Sequence, residues 1–153
     1  MIFYADDDQD DLEIFRELSE ELEVELATFT DGISLIERLK NPPPQPSLIF
    51  LDINMPGYNG LQILEMIRAN GDWEKVPVIM FTTSVGEEVI KRSLFLGATY
   101  YLPKNPDYEG LKKSIQYVIG HEWKDFLPEE KTFVYQNSSM FDLPPDFQSD
   151  KQS

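Results

Sequence analysis

Short apolar runs alternate with amphipathic segments along most of the chain, and this pattern restricts the fold more than any other feature of the sequence. The apolar runs have the length of buried strands, whereas the segments between them repeat apolar residues at helical spacing. Alternation of this kind is typical of βαβ units on a mainly parallel sheet. We therefore predict an α/β domain of five strands and five helices over residues 1–120.

The strands are predicted at the apolar runs. They are expected over residues 1–5, 23–29, 48–51, 76–81 and 99–102. The third and fourth runs are apolar throughout, which is typical of central strands covered on both faces. The second run alternates acidic and apolar residues, so it is predicted to lie at an exposed edge of the sheet.

The helices are predicted between and after these strands, where caps and apolar stripes occur. Asp8 and Asp31 are placed to cap the first two helices. Ser84 and Glu87 fit a capping box that opens the fourth helix, and Gly97 ends that helix. The first, third and fifth helices are expected over about residues 11–22, 60–69 and 108–118.

Residues 121–153 lack regular periodicity and are predicted to form an irregular C-terminal extension. Pro, Ser, Gln and acidic residues are mixed there with large apolar side chains such as Phe126, Phe133 and Phe141. So many apolar groups are unusual in a fully solvated tail. We therefore expect part of the extension to pack on the domain and its last residues to be disordered.

The charge balance argues against two classes of partner. The 153 residues include 28 Asp and Glu against 13 Lys and Arg, a formal net charge of −15. Such a charge repels phosphate backbones and anionic lipid, so neither nucleic acid nor a membrane is expected as a partner. The absence of cysteine excludes thiolate metal sites and a disulfide framework. Because no apolar stretch reaches the length of a membrane span, a cytoplasmic protein is expected.

Five polar side chains follow the ends of predicted strands: Asp6, Asp7, Asp52, Thr82 and Lys104. The carboxyl ends of parallel strands share one edge of the sheet, where ligands bind, so these side chains should converge. Three carboxylates at close range repel one another unless a cation neutralises them, and Mg²⁺ suits one or two carboxylates with several waters. The hydroxyl and the ammonium group can donate to phosphoryl oxygens, and a carboxylate can accept the phosphoryl group. The set predicts a Mg²⁺-dependent phosphoryl site.

With these residues in this order, the chain resembles the receiver domains of two-component response regulators over about residues 1–120. The resemblance implies a flavodoxin-like (βα)5 doubly wound parallel sheet with strand order 2-1-3-4-5. It implies that Asp52, in the sequence Leu-Asp-Ile-Asn-Met-Pro, is the phosphoacceptor. By the same resemblance Thr82 is the switch hydroxyl, Tyr101 the rotating switch aromatic and Lys104 the phosphate-contacting lysine.

The resemblance also implies how Mg²⁺ is held. Asp7 and Asp52 would bind the ion, Asp6 would act through a water molecule, and the backbone carbonyl of Asn54 would supply a further contact.

Two positions depart from the usual pattern of the family. Asn105 separates Lys104 from Pro106, whereas the lysine of the family is usually followed directly by proline. Thr83 is bulkier than the small residue that usually follows the switch hydroxyl. We hypothesise from these departures that turnover of the phosphate is unusual in this protein.

As a receiver, the chain is expected to take a phosphoryl group from a sensor histidine kinase or a histidine phosphotransfer protein. It would catalyse only its own phosphotransfer and dephosphorylation, and it would present a changed surface to an unknown downstream protein. A homodimer through the face of the fourth helix, fifth strand and fifth helix is a further option. The extension either only covers apolar surface or, as a sharper hypothesis, lies near Tyr101 and responds to phosphorylation.

Two other functions stay open from the sequence alone. A pseudo-receiver would bind a partner without being phosphorylated. A phosphohydrolase of the haloacid dehalogenase type would use Asp6-x-Asp8 with Thr82 and Lys104, but that family needs a second acidic cluster after the lysine and leaves Asp52 without a role. An FMN protein is set aside because acidic residues occupy the position of its phosphate loop.

Overall fold

Five parallel strands form one sheet in the structure, a computed structural model that describes residues 1–41 and 46–136. The strands are β1 (Ile2–Ala5), β2 (Leu26–Phe29), β3 (Leu48–Leu51), β4 (Val78–Thr82) and β5 (Tyr100–Pro103). Their order across the sheet is β2-β1-β3-β4-β5. The predicted flavodoxin-like doubly wound sheet with order 2-1-3-4-5 is therefore confirmed.

The helices lie on both faces of the sheet. They are α1 (Gln9–Glu21), α2 (Gly32–Lys40), α3 (Gly60–Ala69), α4 (Glu87–Phe95) and α5 (Tyr108–Gly120). Apolar side chains of α1 and α5 join one core cluster, and those of α2, α3 and α4 join the other. Because each strand sends alternate side chains to opposite faces, Phe3 packs in the second cluster and its neighbour Tyr4 in the first.

The central strands are buried at every position, as their uninterrupted apolar sequence predicts. β2 is only partly buried at each of its four residues, which agrees with its predicted place at an edge. On the face of α1, the rings of Tyr4, Phe15, Phe50 and Phe81 pack with centroids 4.7–6.3 Å apart. This aromatic layer lies directly beneath the carboxyl ends of β1, β3 and β4.

Several predicted boundaries are corrected by the structure. α1 begins earlier than predicted, at Gln9, because Asp8 caps it by accepting the backbone N–H groups of Asp10 and Asp11. β2 begins only at Leu26, after the chain turns at Glu23, whose φ is 58°. The structure shifts β4 and β5 toward the C-terminus of their predicted ranges, so Thr82 is the last residue of β4 rather than the residue after it.

The predicted capping box of α4 does not form. Gly86 is the N-cap residue, and no side chain caps this helix. The hydroxyl of Ser84 instead accepts a hydrogen bond from Nδ2 of Asn54 at 3.0 Å. Ser84 is therefore held by tertiary contacts that local sequence does not specify.

Residues 121–136 follow α5 along the side of the sheet that ends with β5. Trp123 is 6% exposed, donates from its indole to the carbonyl of Val118 at 2.8 Å, and packs against Tyr100 with ring centroids 4.8 Å apart. Phe133 is 1% exposed and lies against Tyr101 at a centroid distance of 6.0 Å.

The backbone of the extension also pairs with β5. The N–H of Tyr101 donates to the carbonyl of Phe133, and the N–H of Tyr135 donates to the carbonyl of Tyr101, both at 2.9 Å. We call residues 132–136 the strap. The predictions for 137–153, and the proline loop over 42–45, lie outside the described residues. Among the described helices, none is long and apolar enough to cross a membrane.

Candidate functional site

Three carboxylates meet at the carboxyl ends of β1 and β3. Pairing of Ala5 with Leu51 brings the residues that follow these strands side by side, and the N–H of Asp52 donates to the carbonyl of Ala5 at 3.0 Å. Asp6, Asp7 and Asp52 each offer an oxygen, and these oxygens lie within 4.8 Å of one another. Asp6 and Asp52 are buried and Asp7 is exposed, so the cluster opens to solvent on one side.

Asp6 is the structural centre of this cluster. Its Oδ1 accepts the backbone N–H of Asp8 at 2.9 Å. Its Oδ2 accepts the hydroxyl of Tyr4 at 2.5 Å and the ammonium group of Lys104 at 2.6 Å. Three donors therefore stabilise a carboxylate that is fully buried, as a buried charge requires.

Lys104, the residue after β5, reaches the cluster with its side chain. Its backbone N–H donates to the carbonyl of Thr82 at 2.8 Å, which fixes the end of β5 against β4. Its Nζ lies 2.6 Å from Asp6, 2.7 Å from Asp11 and 3.6 Å from Oδ2 of Asp52. Burial lowers the pKa of Lys104, but the hydrogen bonds with Asp11 and Asp6 more than offset that effect and the pKa is raised. The lysine is therefore held as a cation.

The residue after Lys104 does not prevent this contact. Oδ1 of Asn105 accepts the backbone N–H of Asp107 at 2.9 Å, which forms a local turn before α5. Asp107 in turn caps α5 by accepting the N–H of Gly110 at 2.9 Å. Asn105 is thus accommodated as part of this turn, and the side chain of Lys104 still contacts the carboxylates.

Asp52 is buried, yet one of its oxygens is left without a partner. Burial first, and the charge of Asp6 second, raise the pKa of Asp52 to about 6, although Lys104 acts in the opposite direction. Among the described residues, Oδ1 of Asp52 is the buried side-chain oxygen or nitrogen that has no hydrogen-bond partner. A buried acceptor in that state is suited to a ligand that supplies positive charge or a donor.

The donor set fits a hard divalent cation. Carboxylate oxygens are the ligands that Mg²⁺ and Mn²⁺ prefer, and an exposed Asp7 leaves space for water ligands. The unpartnered Oδ1 of Asp52 is available for such an ion. The side chain of Asn54 is directed to Ser84, and the role predicted for its backbone carbonyl stays a prediction.

Thr82 and Tyr101 are linked through the loop between β4 and α4. Oγ1 of Thr82 accepts the N–H of Ser84 at 3.2 Å, and the carbonyl of Ser84 accepts the hydroxyl of Tyr101 at 2.5 Å. Both Thr82 and Tyr101 are fully buried. The ring of Tyr101 therefore lies inward, and the backbone of Tyr101 is hydrogen-bonded to the strap.

The structure brings all five predicted strand-end residues to one edge of the sheet, but sequence reasoning missed Asp11. This residue lies in the first turn of α1, and its carboxylate contacts Lys104 across 93 positions of the chain. A first-turn acid is ordinarily explained by the helix dipole, so the sequence offered no signal of this contact.

The model of the response regulator receiver domain family matches residues 2–116. Among curated proteins, the response regulator Rcp1 of Synechocystis sp. is 29% identical over 123 residues, which cover 76% of this chain and 84% of Rcp1. Two other curated relatives are longer, and the chain spans 28% and 60% of their length.

Solved structures show the same likeness. The crystal structure of the phosphorylated cyanobacterial phytochrome response regulator RcpA matches with a TM-score of 0.72 and 25% identity, over 83% of this chain and 95% of RcpA. The Mn²⁺-bound form of Rcp1 matches with a TM-score of 0.70 and 28% identity, over 83% of this chain and 96% of that one.

Proposed function

The chain belongs to the family of response regulator receiver domains, and from that premise we propose that it accepts a phosphoryl group on Asp52 as part of a two-component or phosphorelay system. The observation that carries this proposal is the buried, unpartnered Oδ1 of Asp52 beside the cation of Lys104. The two oxygens of Asp52 can divide the tasks, one binding the ion and the other attacking phosphorus, once Asp52 is ionised, which its pKa of about 6 allows at neutral pH.

In the proposed transfer, a carboxylate oxygen of Asp52 attacks phosphorus of a phosphohistidine on a sensor histidine kinase or a histidine phosphotransfer protein. The new P–O bond forms as the P–N bond breaks, and the imidazole leaves with the bonding electrons. Hydrolysis later returns the carboxylate when water attacks phosphorus and the P–O bond breaks, releasing phosphate. Lys104 stabilises the negative charge of the phosphoryl oxygens in both steps, since its Nζ is already 3.6 Å from Asp52.

Asp7 and Asp52 are proposed to hold Mg²⁺ directly, Asp6 through a water molecule and Asn54 through its backbone carbonyl. When bound, the ion supplies further charge neutralisation at the phosphoryl oxygens. Asp6 contributes mainly by orienting Lys104, because its two oxygens already accept three hydrogen bonds.

The same geometry supports a proposal for how the surface changes. A phosphoryl oxygen on Asp52 would attract the hydroxyl of Thr82, which now accepts from the N–H of Ser84. Movement of that loop would alter the bond from Tyr101 to Ser84. Because the backbone of Tyr101 pairs with the strap, we propose that the strap responds to phosphorylation and that residues 121–136 form a packed extension of the domain.

The partners proposed are a kinase or phosphotransfer protein and one downstream protein in the cytoplasm. The protein acts as a signalling component and not as a classical enzyme. A homodimer through α4, β5 and α5 stays a proposal, and the strap already occupies the outer edge of β5 in a single copy.

The intact mass after incubation with acetyl phosphate and Mg²⁺ tests the function. One added phosphoryl group that is lost in Asp52→Asn and in EDTA would support the proposal. Modification that survived Asp52→Asn but disappeared in Asp6→Asn would favour a haloacid dehalogenase-type phosphohydrolase. No modification by acetyl phosphate or by a phosphorylated kinase would favour a pseudo-receiver.

A further inference from the structure

Asp11 contacts the centre of the site, although the function proposed above gives it no role. Its Oδ2 lies 2.7 Å from Nζ of Lys104. It does not cap α1, since Asp8 performs that task. Its side chain is 23% exposed, which makes it the one partner of Lys104 at the border between the pocket and solvent.

The ammonium group of Lys104 has three N–H donors, and carboxylates accept two of them. Asp6 and Asp11 each accept one at 2.6–2.7 Å, whereas Asp52 lies further away at 3.6 Å. A phosphoryl group on Asp52 would need this cation at hydrogen-bond distance. The third N–H is left for a phosphoryl oxygen, but any movement of Nζ toward a phosphoryl group on Asp52 stretches the contacts with Asp6 and Asp11.

The two nearer acceptors are not equally able to release the lysine. Asp6 is fully buried and fixed by Tyr4 and by the backbone of Asp8. Asp11 stands on the first turn of α1, and water can replace Lys104 at its carboxylate because the side chain is partly exposed. The contact with Asp11 is the one that can be exchanged at low cost.

We propose that Asp11 is a positioning residue that holds Lys104 between α1 and β5 and competes with the phosphoryl group for it. This inference rests on the proposed phosphoacceptor function. It predicts that the contact between Lys104 and the phosphoryl group strengthens when Asp11 no longer competes.

The test compares Asp11→Asn with Asp10→Asn, which removes the same charge from the same turn of α1 at an exposed residue. Beryllofluoride serves as the phosphoryl analogue, and its affinity is measured by ¹⁹F NMR at saturating Mg²⁺. We expect Asp11→Asn to bind it about tenfold more tightly than Asp10→Asn, since a charge-assisted hydrogen bond to a competitor is lost. Equal or weaker binding by Asp11→Asn would overturn the proposal.

A second readout does not depend on phosphorylation. The ¹⁵N-labelled ammonium group of Lys104, assigned by its loss in Lys104→Met, should exchange its protons with water faster in Asp11→Asn than in Asp10→Asn. An unchanged exchange rate would show that Asp11 does not hold the lysine, and would refute the inference even if Asp52 proved not to accept a phosphoryl group. The remaining outcome is that the two variants differ in proton exchange while the wild type does not bind beryllofluoride. That result would refute the phosphoacceptor function and the competition, and only the contact between Asp11 and Lys104 would stand.

Discussion

The hydroxyl of Tyr4 donates a hydrogen bond of 2.5 Å to Oδ2 of Asp6, so a residue of the aromatic core reaches up into the acidic pocket. The ring of Tyr4 is fully buried and packs on Phe15 with centroids 4.7 Å apart. Burial and the charge of Asp6 raise the pKa of Tyr4 far above its usual range, so the hydroxyl stays protonated and acts as a donor. The hydrogen bond from Tyr4 to Asp6 thereby links the aromatic core to the acidic pocket.

Tyr4→Phe should destabilise the metal-free protein by about 1–2 kcal/mol. The ring volume is kept, but the fully buried carboxylate of Asp6 loses one of its donors. Urea unfolding without divalent cations measures the change. Tyr58→Phe is the matched control because Tyr58 is 46% exposed. Equal midpoints for the two variants would show that the bond contributes little.

Asp52 should make the metal-free protein less stable as pH rises from about 4 to 6. Its pKa in the folded state is raised to about 6 from an ordinary value of 3.8, so between these values the folded state binds more protons than the unfolded state. The free energy of unfolding then falls with pH, by up to about 3 kcal/mol above pH 6. Asp52→Asn should remove this decline. A variant that kept the same pH dependence would contradict the assignment to Asp52.

Mg²⁺ should raise the unfolding temperature, and Asp7→Asn should abolish most of that rise. An ion that binds only the folded state stabilises it by about 2.7 kcal/mol at a concentration one hundred times its dissociation constant. Differential scanning calorimetry with increasing Mg²⁺ gives the measurement. Asp10→Asn, which lies outside the carboxylate cluster, should keep the full response. Loss of the response in both variants would indicate a general charge effect.

Gly60→Ala should lower stability by about 1–3 kcal/mol and slow the proposed phosphorylation of Asp52. A Cβ at Gly60 would lie 2.3 Å from the carbonyl oxygen of Asp52 and 2.8 Å from Cα of Ile53, so backbone must move. Gly71→Ala meets nothing within 4 Å and serves as the control. Chemical unfolding and the rate of modification by acetyl phosphate provide the two readouts. If Gly60→Ala behaved as Gly71→Ala does, close packing of α3 on the backbone of Asp52 and Ile53 would not matter.

Tyr135→Pro should loosen the strap, because it removes the N–H that donates to the carbonyl of Tyr101. The amide of Tyr101, which donates to Phe133, should then exchange with deuterium faster. Tyr135→Ala keeps the N–H while losing the contact of this ring with Tyr117, and it separates the two effects. Beryllofluoride with Mg²⁺ should accelerate exchange at Tyr101 in the wild type. Exchange that is insensitive to the analogue would mean that the strap only covers apolar surface.

The sheet could be predicted from the sequence because its causes are local and repeated. The apolar run 48–51 and the apolar side chains at helical spacing in α5 predict which residues are buried. Parallel pairing then aligns the ends of the strands. Asp52 and Lys104 meet for that reason, although 52 positions separate them. Their roles in phosphoryl transfer are still to be tested by the experiments above.

What could not be predicted depends on contacts between distant segments. Ser84 fits a capping box by spacing, but the loop is held by Asn54 and Tyr101 and the helix starts after Gly86. Asp11 appears in sequence as one acid among several, and only its contact with Lys104 distinguishes it from Asp10. Local pattern carries no information on such contacts.

Free N–H groups on an edge strand recruit strands from other molecules and so begin aggregation. At the outer edge of β5 the N–H of Tyr101 is already bonded to Phe133. Backbone direction alternates along a strand, so the next position facing outward is Pro103, which has no N–H to offer. Pairing of β5 with the strap therefore leaves a second copy no free N–H at Tyr101 or Pro103 through which to add a strand to this edge of the sheet.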